Sequence, residues 1–191
     1  MSKENILYTV IALLVGILGT VLVVGVVNKN QSATEVNGTV SMGGGSPIDY
    51  KARIAEAEKI VVREPNNLPA WIQLGNDYFD TDQPQKAINA YAKALELDPR
   101  NPNVLTDQGI MFRKVGWFDK AISNFKKARK LDPGHLQSIY NTGLVYADDL
   151  KQPDKALQAW SLYLQLDTTS PTAQQVKGMV KRLKTVPQKG K

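Results

Sequence analysis

The chain has 191 residues, 42% of them hydrophobic and 22% charged, which is ordinary for a folded protein and leaves room for one domain with accessory segments. It contains no cysteine, which excludes a disulfide scaffold, thiolate metal sites, a thiol nucleophile and covalent haem attachment. The net charge of +6 equals the six basic residues after Asp167, where no acid occurs, so the preceding residues are neutral overall and a diffuse nucleic-acid-binding surface is not implied.

Behind an N-terminal tail at 1–5, residues 6–27 are 22 positions without a charge, rich in Val, Leu and Ile. As a helix they would reach about 33 Å, enough to cross a bilayer core, so a single transmembrane helix is expected. The apolar run is longer than that of a secretory signal, and Asn28-Lys29-Asn30-Gln31 offers no small-residue cleavage site, which favours an uncleaved anchor. Lys3 and the amino terminus outweigh Lys29 in positive charge, which orients the amino terminus to the cytoplasm and the rest of the chain away from it. Residues 28–47, with Gly43-Gly44-Gly45 and no apolar periodicity, read as a flexible linker.

The folded domain is expected over 48–186, followed by a basic tail at 187–191. Ile54, Ala57, Ile60 and Val61 recur at helical spacing within a first helix over 49–64. From there one pattern recurs every 34 positions: Trp71, Leu105 and Ile139; Gly75, Gly109 and Gly143; Tyr78, Phe112 and Tyr146. Three repeats near 68–101, 102–135 and 136–170 follow, each a helix, a short turn and a second helix. Leu97-Asp98-Pro99 and Leu131-Asp132-Pro133 close the second helices, because proline bars its predecessor from helical geometry. The glycines are expected to let paired helices approach, with Ala87 and Ala121 facing them. Tyr146 to Ala156 is one residue longer than its counterparts, which predicts a longer turn over 148–153. Ser170-Pro171 opens a closing helix over 171–184, with Ala173, Val176, Val180 and Leu183 as its apolar stripe.

These letters and their period resemble the tetratricopeptide repeat (TPR). The resemblance implies an all-α superhelix of about 3.5 repeats with capping helices at both ends, set behind the transmembrane helix. It also implies that the first helix of each repeat lines an inner face where partner polypeptides bind. Carried over by position, the partner-binding residues are Gln73, Asn76 and Phe79, then Asp107, Ile110 and Arg113, then Tyr140, Asn141 and Leu144, with Ile72 and Thr106 on the same face. Members that grip a terminal carboxylate use lysines where this chain has Ile72 and Thr106, so that mode is not expected.

No convergent catalytic set is present. His135, the sole histidine, falls in an inter-repeat turn where solvent exposure is expected, and the aspartates near Asp80 and Asp148 lack calcium-loop spacing. The expectation is therefore a non-enzyme without cofactor or metal. It is a membrane-tethered adaptor for a protein or peptide partner, in the manner of bacterial single-span repeat proteins that assemble envelope or c-type cytochrome complexes, with its repeats in the periplasm. A cytoplasm-facing receptor and a self-assembling scaffold are the alternatives. Lys126, Lys127, Arg129 and Lys130 on a second helix mark either a solvated face or a docking patch for an acidic partner.

Overall fold

Most helices among the described residues begin where the sequence supplies an acceptor for their free amide groups or a proline that needs none. The computed structural model describes residues 48–185; the expected tail, transmembrane helix and linker at 1–5, 6–27 and 28–47, and the basic tail at 187–191, lie outside the described residues. In chain order the helices are α1 (Tyr50–Arg63), α2 (Leu68–Asp80), α3 (Pro84–Leu97), α4 (Pro102–Lys114), α5 (Phe118–Leu131), α6 (Leu136–Leu144), a π-helical turn (Val145–Asp149), α7 (Pro153–Leu166) and α8 (Pro171–Thr185). Among the described residues there is no strand.

Asp49, Asn67 and Asn101 accept from the first-turn amides of α1, α2 and α4. His135 does the same for α6: its Nδ1 accepts from Ser138 N–H at 3.3 Å, while Nε2 lies 2.9 Å from Asn103 Oδ1. The histidine is thus half-buried and structural rather than solvent-exposed, because the turn folds it back onto α4. No sequence signal beyond its place before α6 marks this role.

Consecutive helices pack against each other, and the first helices α2, α4 and α6 also meet in a row. This is the arrangement of a TPR-like superhelix, with α2–α3, α4–α5 and α6–α7 as its pairs. What holds a pair together is an aromatic ring of the second helix seated over the glycine of the first. A Cβ on Gly75 would stand 2.5 Å from the Tyr91 ring, one on Gly109 2.5 Å from Phe125, and one on Gly143 would collide with Trp160. These rings, rather than Ala87 and Ala121, are the glycines' nearest neighbours, since only a flat side chain fills the width between the helix axes. Each ring is about 1% exposed, and burying side chains of this size contributes roughly 2–3 kcal/mol apiece.

The turns within the pairs share one conformation. Asp82, Gly116 and Lys151 all have positive φ (58°, 79° and 54°), so the third turn is no longer than the others. The extra residue lies upstream instead, inside the helix, where it widens the last turn of α6 into the π-helical segment. Gln83 N–H and Trp117 N–H reach the carbonyls of Tyr78 and Phe112, five residues back, at 2.8 Å; Gln152 N–H reaches Tyr146 O, six back, at 2.7 Å. A wider helical turn absorbs the insertion while the closing bond and the turn survive unchanged.

The ends are covered as half-repeats. α1 buries Ala57 and Val61 against α2, with Arg53 paired to the fully buried Asp77 and Tyr78 donating to Glu58. α8 buries Ala173 and Val176 beside Trp160 and Tyr163.

Candidate partner-binding surfaces

Between the first helices lie two recesses. One, of about 320 Å³, is lined by Asn76, Phe79, Asp80, Tyr91, Asp107 and Gln137. The next, of about 370 Å³, is lined by Gln137, Tyr140, Asn141, Tyr163, Thr172 and Gln175. Gln137 belongs to both, so they form one trough along α2, α4 and α6 toward α8. Its walls are fixed by short polar links. Tyr91 Oη donates to Asn76 Oδ1 at 2.9 Å, Asn141 Nδ2 donates to Gln137 O at 2.8 Å, and the Tyr140 and Tyr163 rings meet edge to face at 6.2 Å.

The charge in the trough is negative. Asp80 and Asp107 line the first recess, and among the described residues no cation lines either one. Burial pushes the Asp107 carboxyl up to about 6; the long Gln137 bond, 3.5 Å, pulls it down, and the Asp80 charge raises it further. Burial also raises the Tyr91 phenol, with Asp107, Asp80 and Asp77 adding to the effect. A carboxylate held this way gains most from a cation placed beside it, because the surroundings supply no opposite charge.

Of the residues expected to bind a partner, Asn76, Phe79 and Asp107 come together in the first recess, and Tyr140 and Asn141 in the second. The other four are placed elsewhere. Gln73 donates to Asp77 Oδ1 at 2.9 Å, serving the Arg53–Asp77 pair. Arg113 is held by Asp149 at 2.5 Å and Asp148 at 3.4 Å, which ties α4 to the π-helical turn. Ile110 and Leu144 pack against the core. Thr106 is fully buried, its hydroxyl donating to Pro102 O at 2.8 Å, and Ile72 packs on the core as well. Missed by the sequence reading were Asp80, Gln137, Thr172 and Gln175, together with Tyr91 and Tyr163. Asp80 and Gln137 sit on the same first helices, one turn beyond Asn76 and one position after the start of α6. The two tyrosines belong to second helices: Tyr91 reaches the trough past Gly75, and Tyr163 reaches it beside the Tyr140 ring.

Comparison with known proteins agrees with this fold. The tetratricopeptide repeat family model matches residues 69–101. The Photosystem I assembly protein Ycf3 of Prochlorococcus marinus is 30% identical over 110 residues, covering 49% of this chain and 64% of Ycf3. The chain thus spans less than two thirds of that relative's length. The crystal structure of MamA superposes with a TM-score of 0.65 at 26% identity, over 71% of this chain and 79% of MamA. The first TPR of Spaghetti (RPAP3), bound to the HSP90 peptide SRMEEVD, gives a TM-score of 0.56 at 20% identity over 61% of this chain and 90% of that one, a likeness of fold alone.

Proposed function

We propose that this chain, whose helix pairs are similar to tetratricopeptide repeats, is a non-enzymatic adaptor that holds an extended segment of another protein along the α2–α4–α6 trough, so that a complex assembles around it. The observation that carries this reading is the continuity of the two recesses through Gln137, a channel of amides and aromatic edges about three first helices long. Such walls hydrogen-bond a peptide backbone and pack its side chains without demanding one sequence. The role that the name of Ycf3 states, assembly of a larger complex, supports the same class of role.

The trough also selects by charge. Asp80 and Asp107, which line the recess together with Phe79, favour a lysine or arginine side chain from the bound segment. This is the reverse of an acidic tail such as SRMEEVD. Binding of an extended peptide with a central Arg to the full chain is expected to weaken at least about tenfold in Asp80→Asn/Asp107→Asn, and to vanish when the peptide's Arg becomes Glu. Equal affinity for all three pairings, by fluorescence anisotropy, would remove the trough as the site.

The uncharged run at 6–27 supports tethering of the adaptor to a membrane, with 28–47 as a linker that keeps bound partners near that surface. The charge balance around the run supports repeats on the side away from the cytoplasm, the periplasm of a bacterial inner membrane. A reporter fused after Lys191 that is active only in the cytoplasm would contradict that orientation.

A further inference from the structure

The second helices α3, α5 and α7 build the face opposite the trough. Between α5 and α7 runs a furrow whose main recess, about 680 Å³, is lined by Lys126 and Arg129 on one side and Lys155, Ala159 and Leu162 on the other, with Tyr146 beneath. A smaller recess of about 300 Å³ continues it, sharing Lys126, Tyr146 and Lys155 and ending at Asp119. Among the described residues the main recess contains three cations and no carboxylate.

Those cations are not among the ion pairs. The basic residues in ion pairs among the described residues are Arg53, Lys59, Arg63, Lys93, Arg113 and Lys114, none of them on α5 or α7. Arg129 is half-buried all the same, and Lys155 rests 5.3 Å from the centre of the Tyr146 ring. The equivalent furrow between α1 and α3 is different. It mixes Glu58 with Lys86 and Lys93, and Lys93 already pairs with Glu96 at 2.7 Å. Unmatched positive charge along an apolar floor is therefore a property of the α5–α7 furrow and not of the repeat.

We propose that the α5–α7 furrow is a second docking site, which takes an acidic amphipathic segment of a partner protein. Aliphatic side chains of the segment lie on Ala159, Leu162 and Tyr146, and its Asp or Glu residues meet Lys126, Arg129 and Lys155. α5 and α7 are 14 residues each, about 21 Å, room for a helix of roughly four turns. The apolar atoms lie between the helices, below the charged rims, where a polypeptide side chain reaches and a flat bilayer surface does not. Lys127 and Lys130, exposed on α5, extend the positive field that steers such a segment inward.

The test uses the full chain and two labelled series of peptides about four helical turns long, with Leu at helical i, i+3, i+4, i+7 spacing and either Glu or Lys elsewhere. Acidic peptides are expected to bind, to weaken steeply with added salt, and to lose at least about tenfold in affinity in Lys126→Glu/Arg129→Glu. The same binding is expected to be unchanged in Asp80→Asn/Asp107→Asn, so this site stands or falls separately from the trough. If charge reversal lowers helicity, Lys126→Ala/Arg129→Ala reads the same loss at about threefold. The proposal is overturned if no acidic peptide binds the wild-type chain, or if the reversed protein binds it equally. It is also overturned if phosphatidylserine vesicles, and not the peptides, distinguish the wild-type protein from the reversed one.

Discussion

The trough along α2, α4 and α6 and the furrow between α5 and α7 belong to the same repeats yet carry opposite charge. Asp80 and Asp107 line the first recess of the trough without a cation beside them, and Lys126, Arg129 and Lys155 line the main recess of the furrow without an acid. The difference comes from where ion pairs are made. On the first-helix side Arg53, Lys114 and Arg113 are committed to Asp77, Asp82 and Asp149, which holds helices and turns together and leaves two other aspartates unmatched. On the second-helix side α5 carries its cations with no such commitment. The overall neutrality of the residues before the C-terminal basic run thus conceals two recesses of opposite charge.

The comparison is broken most completely by disturbing what both faces share. Gly143→Ala drives a methyl group into the Trp160 indole, which is 1% exposed and has no space to retreat. A loss of about 3 kcal/mol is expected, seen as a lower midpoint in urea unfolding followed by circular dichroism, with trough and furrow binding failing together. A variant as stable as the wild type would show that the ring over the glycine is not what joins the pair.

A smaller effect isolates the trough. The Asp107 carboxyl titrates near 6 in the folded chain against an ordinary value of 3.8, so between those values the folded state holds more proton than the unfolded one. The stability contribution of this group is therefore full below about pH 4 and is lost as pH rises through 6. Asp107→Asn is expected to be more stable than the wild type at pH 7 by about 1–2 kcal/mol, with the advantage gone at pH 4. Unfolding curves at the two pH values check this; a variant less stable at pH 7 would mean that the ionised carboxylate is held by partners. The same sign predicts that an Arg-bearing peptide binds the wild-type trough more tightly at pH 7 than at pH 5.

Much of this was legible in the sequence, and the exceptions share a cause. The 34-residue spacing located the helix pairs and the glycines, because each repeat must present the same packing surface to the next. The extra residue before Ala156 was visible, but a turn is where insertions usually go, and here a π-helical segment takes it up. That one-residue shift puts Trp160 in the place that Tyr91 and Phe125 hold in the other pairs. On the inner face, positions carried over from first helices include Asn76, Phe79, Asp107, Tyr140 and Asn141, which line the two recesses. Ile110 and Leu144, carried over in the same way, pack against the core, and Arg113 and Gln73 bond to aspartates, partners that a one-helix pattern does not show. Tyr91 and Tyr163 line the recesses from second helices, which a pattern carried over from first helices does not show.

The most direct measurement is the map of backbone amide shifts when the isotope-labelled chain is titrated with an extended peptide containing one central arginine. The account predicts that the perturbed amides cluster at Asn76, Asp80, Asp107 and Gln137 and leave those of Lys126, Arg129 and Lys155 unmoved. Shifts centred on α5 and α7, with the trough silent, would contradict it.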